Sequence, residues 1–517
     1  MAQTKIVIPA AGLATRMRPL SNNMSKAMIP VNGKPIIAYI LDTCRKIAND
    51  SDICVVVGCN PDIAQFCSRK YPNVKIRVQE NPIGPGDAVM TGLSAVYDSN
   101  VGNGYFDSLL VWLGDTLYDI DDIERFIEEN HNYDYVLTAK VKDPSRWCMI
   151  DEAGKLYDKP TTTDLPDDLT AIVGVYNFSE IGSLTKVCGA KEMSDLICSK
   201  YANGSTRVFD RFIDYGNWYD CGELETYYES KAALLNKQAR EGHDLFVDTS
   251  DCTVTKRGFN ILQEYMWYNS VKNTKMESFI PHIHTVSDLE VKMSLAPGST
   301  LQELLIFDNL KNESWTTIIN RTLDSYNLGI GYVRGKNLDR VSDMFYEKNL
   351  SRVFKYDYDF VNKTDKGLVL VFINDVYVRL KEFAENNLYS DIIHGDLHFG
   401  NIIFDPTIGK ITFIDPRGCW AGETTTFGNI CYDLAKLYQS VYCEYAWLLN
   451  DDVVDTEKKD FIIKLLDLKV EQIFKLNKEQ IQTIKNFSVV MLLTCLPFHG
   501  DDVQRQMRFW NKGLSLL

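Results

Sequence analysis

Residues 5–35 read KIVIPAAGLATRMRPLSNNMSKAMIPVNGKP, and this stretch decides the fold. Ile6-Val7-Ile8 is an apolar β-branched run of the kind buried in a parallel sheet. It breaks into Ala10-Ala11-Gly12-Leu13-Ala14-Thr15-Arg16, small residues that let backbone N–H groups come close to an anion. Arg16, Arg18 and Lys26 add fixed positive charge beside that turn. Strand, turn and cations together describe a polyphosphate site. Glycine turns after strands are common, however, and most only redirect the chain.

The order of the residues says more than their types. G-x-x-T-R-x-x-P-L, then S-K-A-M-I-P-V, then G-K-P resembles the signature of the sugar-1-phosphate nucleotidyltransferases and of their relatives that activate phosphocholine. Leu13-Ala14 stands where that family has its second glycine region, and Ser25 precedes Lys26 where the family has proline. The resemblance implies a Rossmann-like fold, nucleotide contacts at Ala11 and Gly12, and catalytic roles for Arg16 and Lys26.

At 517 residues the chain needs two or three domains. Its 45% hydrophobic and 24% charged residues are those of a soluble globular protein. A net charge of −15 argues against nucleic acid or an anionic membrane as partner, since both require a basic surface. No run is long enough to span a bilayer, and Ser488 to Phe498 suits a buried helix. Thirteen scattered cysteines without C-x-x-C pairs, and no signal-peptide pattern, point to a cytoplasmic protein. The oligomeric state is not legible.

Outward from the opening stretch, Ile36 to Ile47 has helical periodicity, Ile53–Gly58 reads as a strand, Asp62–Lys70 as a helix and Val74–Gln79 as a strand. This alternation predicts a parallel, doubly wound α/β sheet with its ligands outside the carboxyl ends of the strands. Three groups fall there. Gln79 and Gly84 match the family's pyrimidine-reading Gln…Gly pair, and Gly86-Asp87-Ala88 the Gly-Thr-Ala after it, with Asp87 in place of the usual middle residue. The glycines, Gly86 included, would let a flat base lie against backbone, and the alternative is a Pro/Gly loop capping a helix. Asp115 ends the run Leu109-Leu110-Val111-Trp112-Leu113-Gly114, a good Mg²⁺ position, although a turn aspartate is equally compatible. Trp218-Tyr219-Asp220-Cys221-Gly222 resembles the family's W-x-D-x-G, which implies that Asp220 is the second metal carboxylate. Between them, Lys159 in Tyr157-Asp158-Lys159-Pro160 resembles the lysine that holds the substrate phosphate. Gly174 and Tyr176 lie in a run resembling the acceptor-pocket strand. An exposed lysine and a core tyrosine are the bland alternatives. Glu223–Glu241 reads as a polar helix, and a domain boundary is expected near residue 243, giving domains 1–243 and 244–517.

The second half centres on Ile393-His394-Gly395-Asp396-Leu397-His398-Phe399-Gly400-Asn401, followed by Ile411-Thr412-Phe413-Ile414-Asp415. Aspartate, four residues, asparagine, then a strand ending in aspartate is the kinase layout: Asp396 takes the hydroxyl proton, while Asn401 and Asp415 hold Mg²⁺. The pattern resembles the aminoglycoside phosphotransferase and choline kinase family. That resemblance implies a protein-kinase-like, two-lobed α+β domain with an N-lobe over about 244–300 and a C-lobe over about 301–517. Lys256 on a strand and Glu264 on the next helix match the ATP-binding ion pair, without a glycine-rich loop before them. Val291–Gly298 matches the adenine hinge, and Asp433 a structural aspartate. Trp420, Tyr432, Tyr438, Tyr442, Tyr445 and Trp447 are either a cage for a quaternary ammonium or, more simply, helix-packing residues.

Together the two resemblances imply a bifunctional enzyme. ATP phosphorylates a small alcohol or sugar, and CTP or UTP then converts the phosphomonoester to an NDP derivative, with Mg²⁺ at both sites, for surface polysaccharide or lipid assembly. The rival is a single transferase carrying a catalytically silent, regulatory kinase-like half.

Overall fold

The computed structural model describes residues 3–97, 107–118, 120–161, 165–184, 187, 189–201, 209, 211–214, 218–237, 243–248, 250–258, 261–287, 289–308, 310–330, 332–333, 343–384, 388–420 and 423–517. The chain forms two compact units, Met1–Lys231 and Ala232–Leu517. They divide within the helix Leu224–Lys237, and the end of the polar helix expected to reach Glu241 lies outside the described residues.

The first unit is built on a nine-stranded sheet. Thr4–Ala10 is central, flanked in parallel by Ile53–Val57 and Ser108–Trp112, with Lys75–Val78 parallel beyond Ile53–Val57. The flanking strands Ile53–Val57 and Ser108–Trp112 are buried throughout, as expected of apolar runs covered by helices on both faces. Helix Pro85–Val96 packs so close to the sheet that a Cβ on Gly92 would lie 2.5 Å from Val7 Cγ1 and 2.9 Å from Val56 Cγ2. Pro85 at the first helical position fixes the entry of that helix without losing a hydrogen bond.

The sheet is mixed rather than wholly parallel. Thr170–Phe178 runs antiparallel to Ser108–Trp112, Tyr135–Ala139 and Cys148–Ile150, and Leu156–Asp158 runs antiparallel to Cys148–Ile150. The reason is local. After Ala139 only a one-turn helix at Pro144–Arg146 separates these strands, so no crossover helix returns the chain to the starting edge. Gly174, at φ +88°, sits where the register shifts between Ile172 and Tyr176.

The second unit opens with a four-stranded antiparallel sheet in the order His243–Asp248, Thr253–Gly258, Glu290–Ser294, Ile283–Val286. Helix Ile261–Val271 follows the second of these strands. The remainder is helical apart from short strands, of which Ile402–Asp405 and Lys410–Phe413 form a hairpin. Helix Ile430–Val441 packs on Lys478–Leu493, which also packs on Lys363–Ala384. Residues 488–493 of the expected buried segment are the buried end of Lys478–Leu493, and a short helical turn, Leu496–His499, follows. Among the described residues no helix is long and apolar enough to cross a membrane.

Candidate active sites

In the first unit a cleft of about 550 Å³ opens at the carboxyl ends of the central strands, a volume suited to a nucleotide-sized ligand. Ala11, Gly12, Arg16, Lys26, Gln79, Gly84, Asp115, Lys159, Tyr176 and Asp220 all line it. Residues from six separate segments of sequence therefore meet in one place.

The carboxylates converge for a topological reason. Asp115 follows the strand Ser108–Trp112 through Gly114, whose N–H donates to Pro9 O at 3.0 Å; a Cβ there would stand 2.9 Å from the same oxygen. Trp218–Asp220 pairs antiparallel with Thr116–Tyr118, setting Asp220 opposite Thr116, and Cys221 N–H donates to Asp115 O at 2.9 Å. Lys26 Nζ lies 2.5 Å from Asp115 Oδ2. Burial opposes ionisation of Asp115, but Lys26, Thr116 and Arg16 outweigh it and hold the carboxyl below its ordinary range. Asp220 is engaged by Arg146 Nη2 at 3.0 Å and by the Gly222 N–H at 2.7 Å.

The pair Asp115 and Asp220 suits Mg²⁺, which takes one or two protein carboxylates and fills its octahedron with water and phosphate oxygens. Among the described residues no group of three or more His, Cys, Asp or Glu side chains could hold a metal ion.

Several sequence expectations change in detail. Gly84 and Gly86 are glycines because the chain at Lys191 and Glu192 presses on them: an added Cβ would collide with Lys191 O and Glu192 O respectively. A flat ring lying on Gly86 is therefore not the reason for that glycine, and Gly86 does not line the cleft. Gly174 likewise stands behind the wall, where a Cβ would lie 2.6 Å from Thr116 Oγ1. Lys159 is half-exposed, 3.5 Å from Glu192 Oε2. Tyr176 is buried yet faces the cleft.

The sequence did not point to Arg146 or Asp62. Asp62 is buried and accepts from Ser25 N–H at 2.5 Å and Ser25 Oγ at 2.6 Å, which fixes the backbone just before Lys26. Serine in place of proline before the lysine was the available signal.

In the second unit, Lys256 Nζ lies 2.9 Å from Glu264 Oε1 and also contacts Asp415 Oδ1. Burial works against the ammonium, but Asp415 and Glu264 together raise its pKa, so Lys256 stays protonated. Asn401 Nδ2 donates to Asp396 O at 2.9 Å and lies 3.4 Å from Asp396 Oδ2, while Ile414 N–H donates to Asn401 O at 3.0 Å. Asp396, Asn401 and Asp415 are thus tied into one loop cluster, an all-oxygen donor set that also fits Mg²⁺. Lys436 Nζ lies 3.0 Å from Asp396 Oδ1. Burial opposes the charge of Asp396, but Lys436 foremost overcomes it and holds the carboxyl well below its usual range.

Beneath the loop, Asp433 is fully buried and accepts from His394 N–H at 2.6 Å, Gly395 N–H at 2.7 Å and Tyr326 Oη at 2.7 Å. His394 is structural: Nε2 donates to Ile414 O at 2.9 Å, and burial pushes its pKa down to about 4. His398 Nδ1 accepts from Gly400 N–H at 3.0 Å, with Nε2 3.8 Å from Asp396 Oδ2.

The aromatic residues after Asp415 pack rather than cage. Trp420 meets Tyr432 edge-on at 4.6 Å, Tyr432 meets Phe487, and Tyr438 is buried with its hydroxyl on Asp467. The side chains near this loop that sequence reading passed over are basic: Lys436, Arg417, Lys348 and Arg352. Only Lys436 left a trace, since it lies three residues after Asp433 on one helix face.

Comparison with known proteins agrees with this division. Residues 5–237 match the family described as nucleotidyl transferase, and residues 360–453 match the phosphotransferase enzyme family. The bifunctional protein GlmU of Methanocaldococcus jannaschii is 27% identical over 240 residues, covering 45% of this chain and 54% of that protein. The chain thus spans about half the length of the archaeal relatives it matches. A UTP–glucose-1-phosphate uridylyltransferase of Streptococcus pyogenes is 30% identical over 289 residues, covering 46% of this chain and 91% of that enzyme. Among solved structures, the UTP-bound UGPase of Acinetobacter baumannii aligns at 17% identity with a TM-score of 0.36, covering 46% of this chain and 95% of that one. By its first unit the chain belongs to the nucleotidyl transferase family, and its second unit carries a segment of the phosphotransferase enzyme family.

Proposed function

We propose that the protein is a bifunctional transferase: residues 244–517 phosphorylate a small alcohol or sugar with ATP, and residues 1–243 transfer a nucleotidyl group from CTP or UTP to the phosphomonoester formed. One observation carries the reading: each unit gathers its own set of basic side chains and oxygen donors, Asp115 and Asp220 with Arg16 and Lys26, and Asp396, Asn401 and Asp415 with Lys256. What leaves the second unit is chemically what the first consumes.

In the kinase step the acceptor hydroxyl oxygen bonds to the γ-phosphorus, the β–γ bridge bond breaks, ADP leaves, and Asp396 takes the hydroxyl proton. Lys256, held by Glu264, neutralises nucleotide phosphate charge. In the nucleotidyl step a phosphomonoester oxygen bonds to the α-phosphorus of the NTP and pyrophosphate leaves. No general base is required, because the nucleophile is already ionised near neutral pH. Arg16 and Lys26 stabilise the β,γ-phosphates, Lys159 holds the nucleophilic phosphate, and Gln79 contacts the base. Mg²⁺ held by Asp115 and Asp220, and by Asn401 and Asp415, would neutralise charge on the phosphates. The NDP product is suited to surface polysaccharide or lipid assembly.

The test is ATP consumption that depends on an added alcohol and is abolished by Asp396→Asn. Alcohol-dependent turnover that survives the substitution would overturn the reading.

A further inference from the structure

Three basic side chains, Lys436, Arg417 and Lys348, stand around the loop that carries Asp396, and a fourth, Arg352, adjoins Lys348. Lys436 Nζ lies 3.0 Å from Asp396 Oδ1. The Arg417 guanidinium lies over the Trp420 ring at 4.6 Å from its centroid, and Lys348 Nζ lies over the same ring at 5.7 Å. This pair adjoins the catalytic loop, for a Cβ on Gly395 would stand 2.8 Å from Arg417 Cβ and 3.2 Å from Trp420 Cζ2. Arg352 follows Lys348 by one turn of the helix Lys348–Phe354, on the same face, with its guanidinium over the Phe498 ring and Nη1 3.4 Å from Thr494 O.

Among the described residues, Lys348, Arg352 and Arg417 make no ion pair with a carboxylate. Like charges one turn apart destabilise a helix, and here two of them approach a third cation without an anion between them. Burial foremost, then Arg417, Arg352 and Lys436, push Lys348 down to about 6. Lys348 is therefore largely unprotonated near pH 7 on its own, and an anion bound beside Arg417 and Arg352 would draw its proton back. The nucleotide end of the site is marked separately, by Lys256 with Asp415 and Glu264.

Resting on the kinase reading above, we infer that the alcohol phosphorylated by the second unit is itself an anion, a hydroxyl compound bearing a carboxylate or phosphate, received by Lys348, Arg417 and Arg352 beside Asp396. A quaternary ammonium is excluded by the same charges. Arg417 and Lys348 already stand over the Trp420 ring, at 4.6 and 5.7 Å from its centroid, where an ammonium cage would need the ring free.

The experiment uses the full chain, ATP and four probes of similar size: glycerate, glycerol 3-phosphate, glycerol and choline. Glycerate or glycerol 3-phosphate is expected to exceed glycerol and choline in kcat/KM by about a hundredfold, as two charge-assisted contacts allow. Lys348→Met and Arg417→Met should each raise KM for the anionic probe about tenfold with KM for ATP within about twofold, and Lys348→Arg should restore it. Preference for choline or glycerol, or a KM effect confined to ATP, would overturn the inference while leaving the kinase reading intact. Absence of phosphorylation with every probe would overturn both.

Discussion

Lys26 Nζ stands 2.5 Å from Asp115 Oδ2, so a fixed cation already holds the strand-end carboxylate at the position where the metal is proposed to bind. The second unit repeats the device, with Lys256 on Asp415. In both units the lysine orients the carboxylate before substrate arrives and can then turn to the phosphates. Asp115→Asn should therefore lower nucleotidyl transfer by at least about a hundredfold, a loss typical of removing one electrostatic contact at a phosphoryl centre. The measurement is pyrophosphate release from NTP and a phosphorylated alcohol, with thermal melting unchanged to within a few degrees.

Gln79 Nε2 donates to Asp87 Oδ2 at 2.6 Å and to Gly84 O at 3.2 Å. Both neighbours are acceptors, so the amide nitrogen must face them and Oε1 is left to accept from a base. Asp87→Ala frees the amide to rotate. We expect KM for the preferred pyrimidine triphosphate to rise about tenfold and selectivity over the other NTPs to fall, read from a four-NTP competition assay.

Asp433 faces three donors and no acceptor, so an asparagine there must turn its NH₂ toward a donor. Asp433→Asn should cost about 1–3 kcal/mol in a urea melt of the kinase unit's transition. It should also depress kinase turnover, because the lost bonds hold His394 and Gly395 next to Asp396.

Lys348 tests the charge field through stability. Its folded pKa is about 6, whereas an unfolded lysine titrates near 10.4. Between these values the unfolded chain binds more protons, so the group costs stability that grows as pH falls from 10.4 and levels off below 6. Lys348→Met removes that cost. Its melting temperature should exceed that of the natural protein by several degrees at pH 7, and the gap should narrow toward pH 9.5. A gap independent of pH would contradict the field.

Much of this was legible in the chain because it is written locally. Buried strands announce themselves as apolar β-branched runs, and Asp115 follows such a run, whereas Asp220 was legible only through the resemblance of Trp218-Tyr219-Asp220-Cys221-Gly222 to a family motif. Charges brought together over long separations were not legible. Arg146 reaches Asp220 across 74 positions, and Lys348 and Arg417 come together over the ring of Trp420. Nor could the sequence say that Gly84 and Gly86 are small because the backbone at Lys191 and Glu192 presses on them. Residue type shows that space is needed, and only packing shows what takes it. The antiparallel flank was missed for a related reason, since strand periodicity carries no direction.

The central claim is that the two sites act in series, and ³¹P NMR of one reaction tests it most directly. The full chain is given ATP, an acceptor alcohol and CTP or UTP. Asp115→Asn should stop at the phosphorylated alcohol and accumulate it, while Asp396→Asn should form no NDP conjugate until the phosphorylated alcohol is supplied. An Asp115→Asn variant that no longer consumes ATP, or an Asp396→Asn variant that still makes the conjugate from free alcohol, would contradict the account.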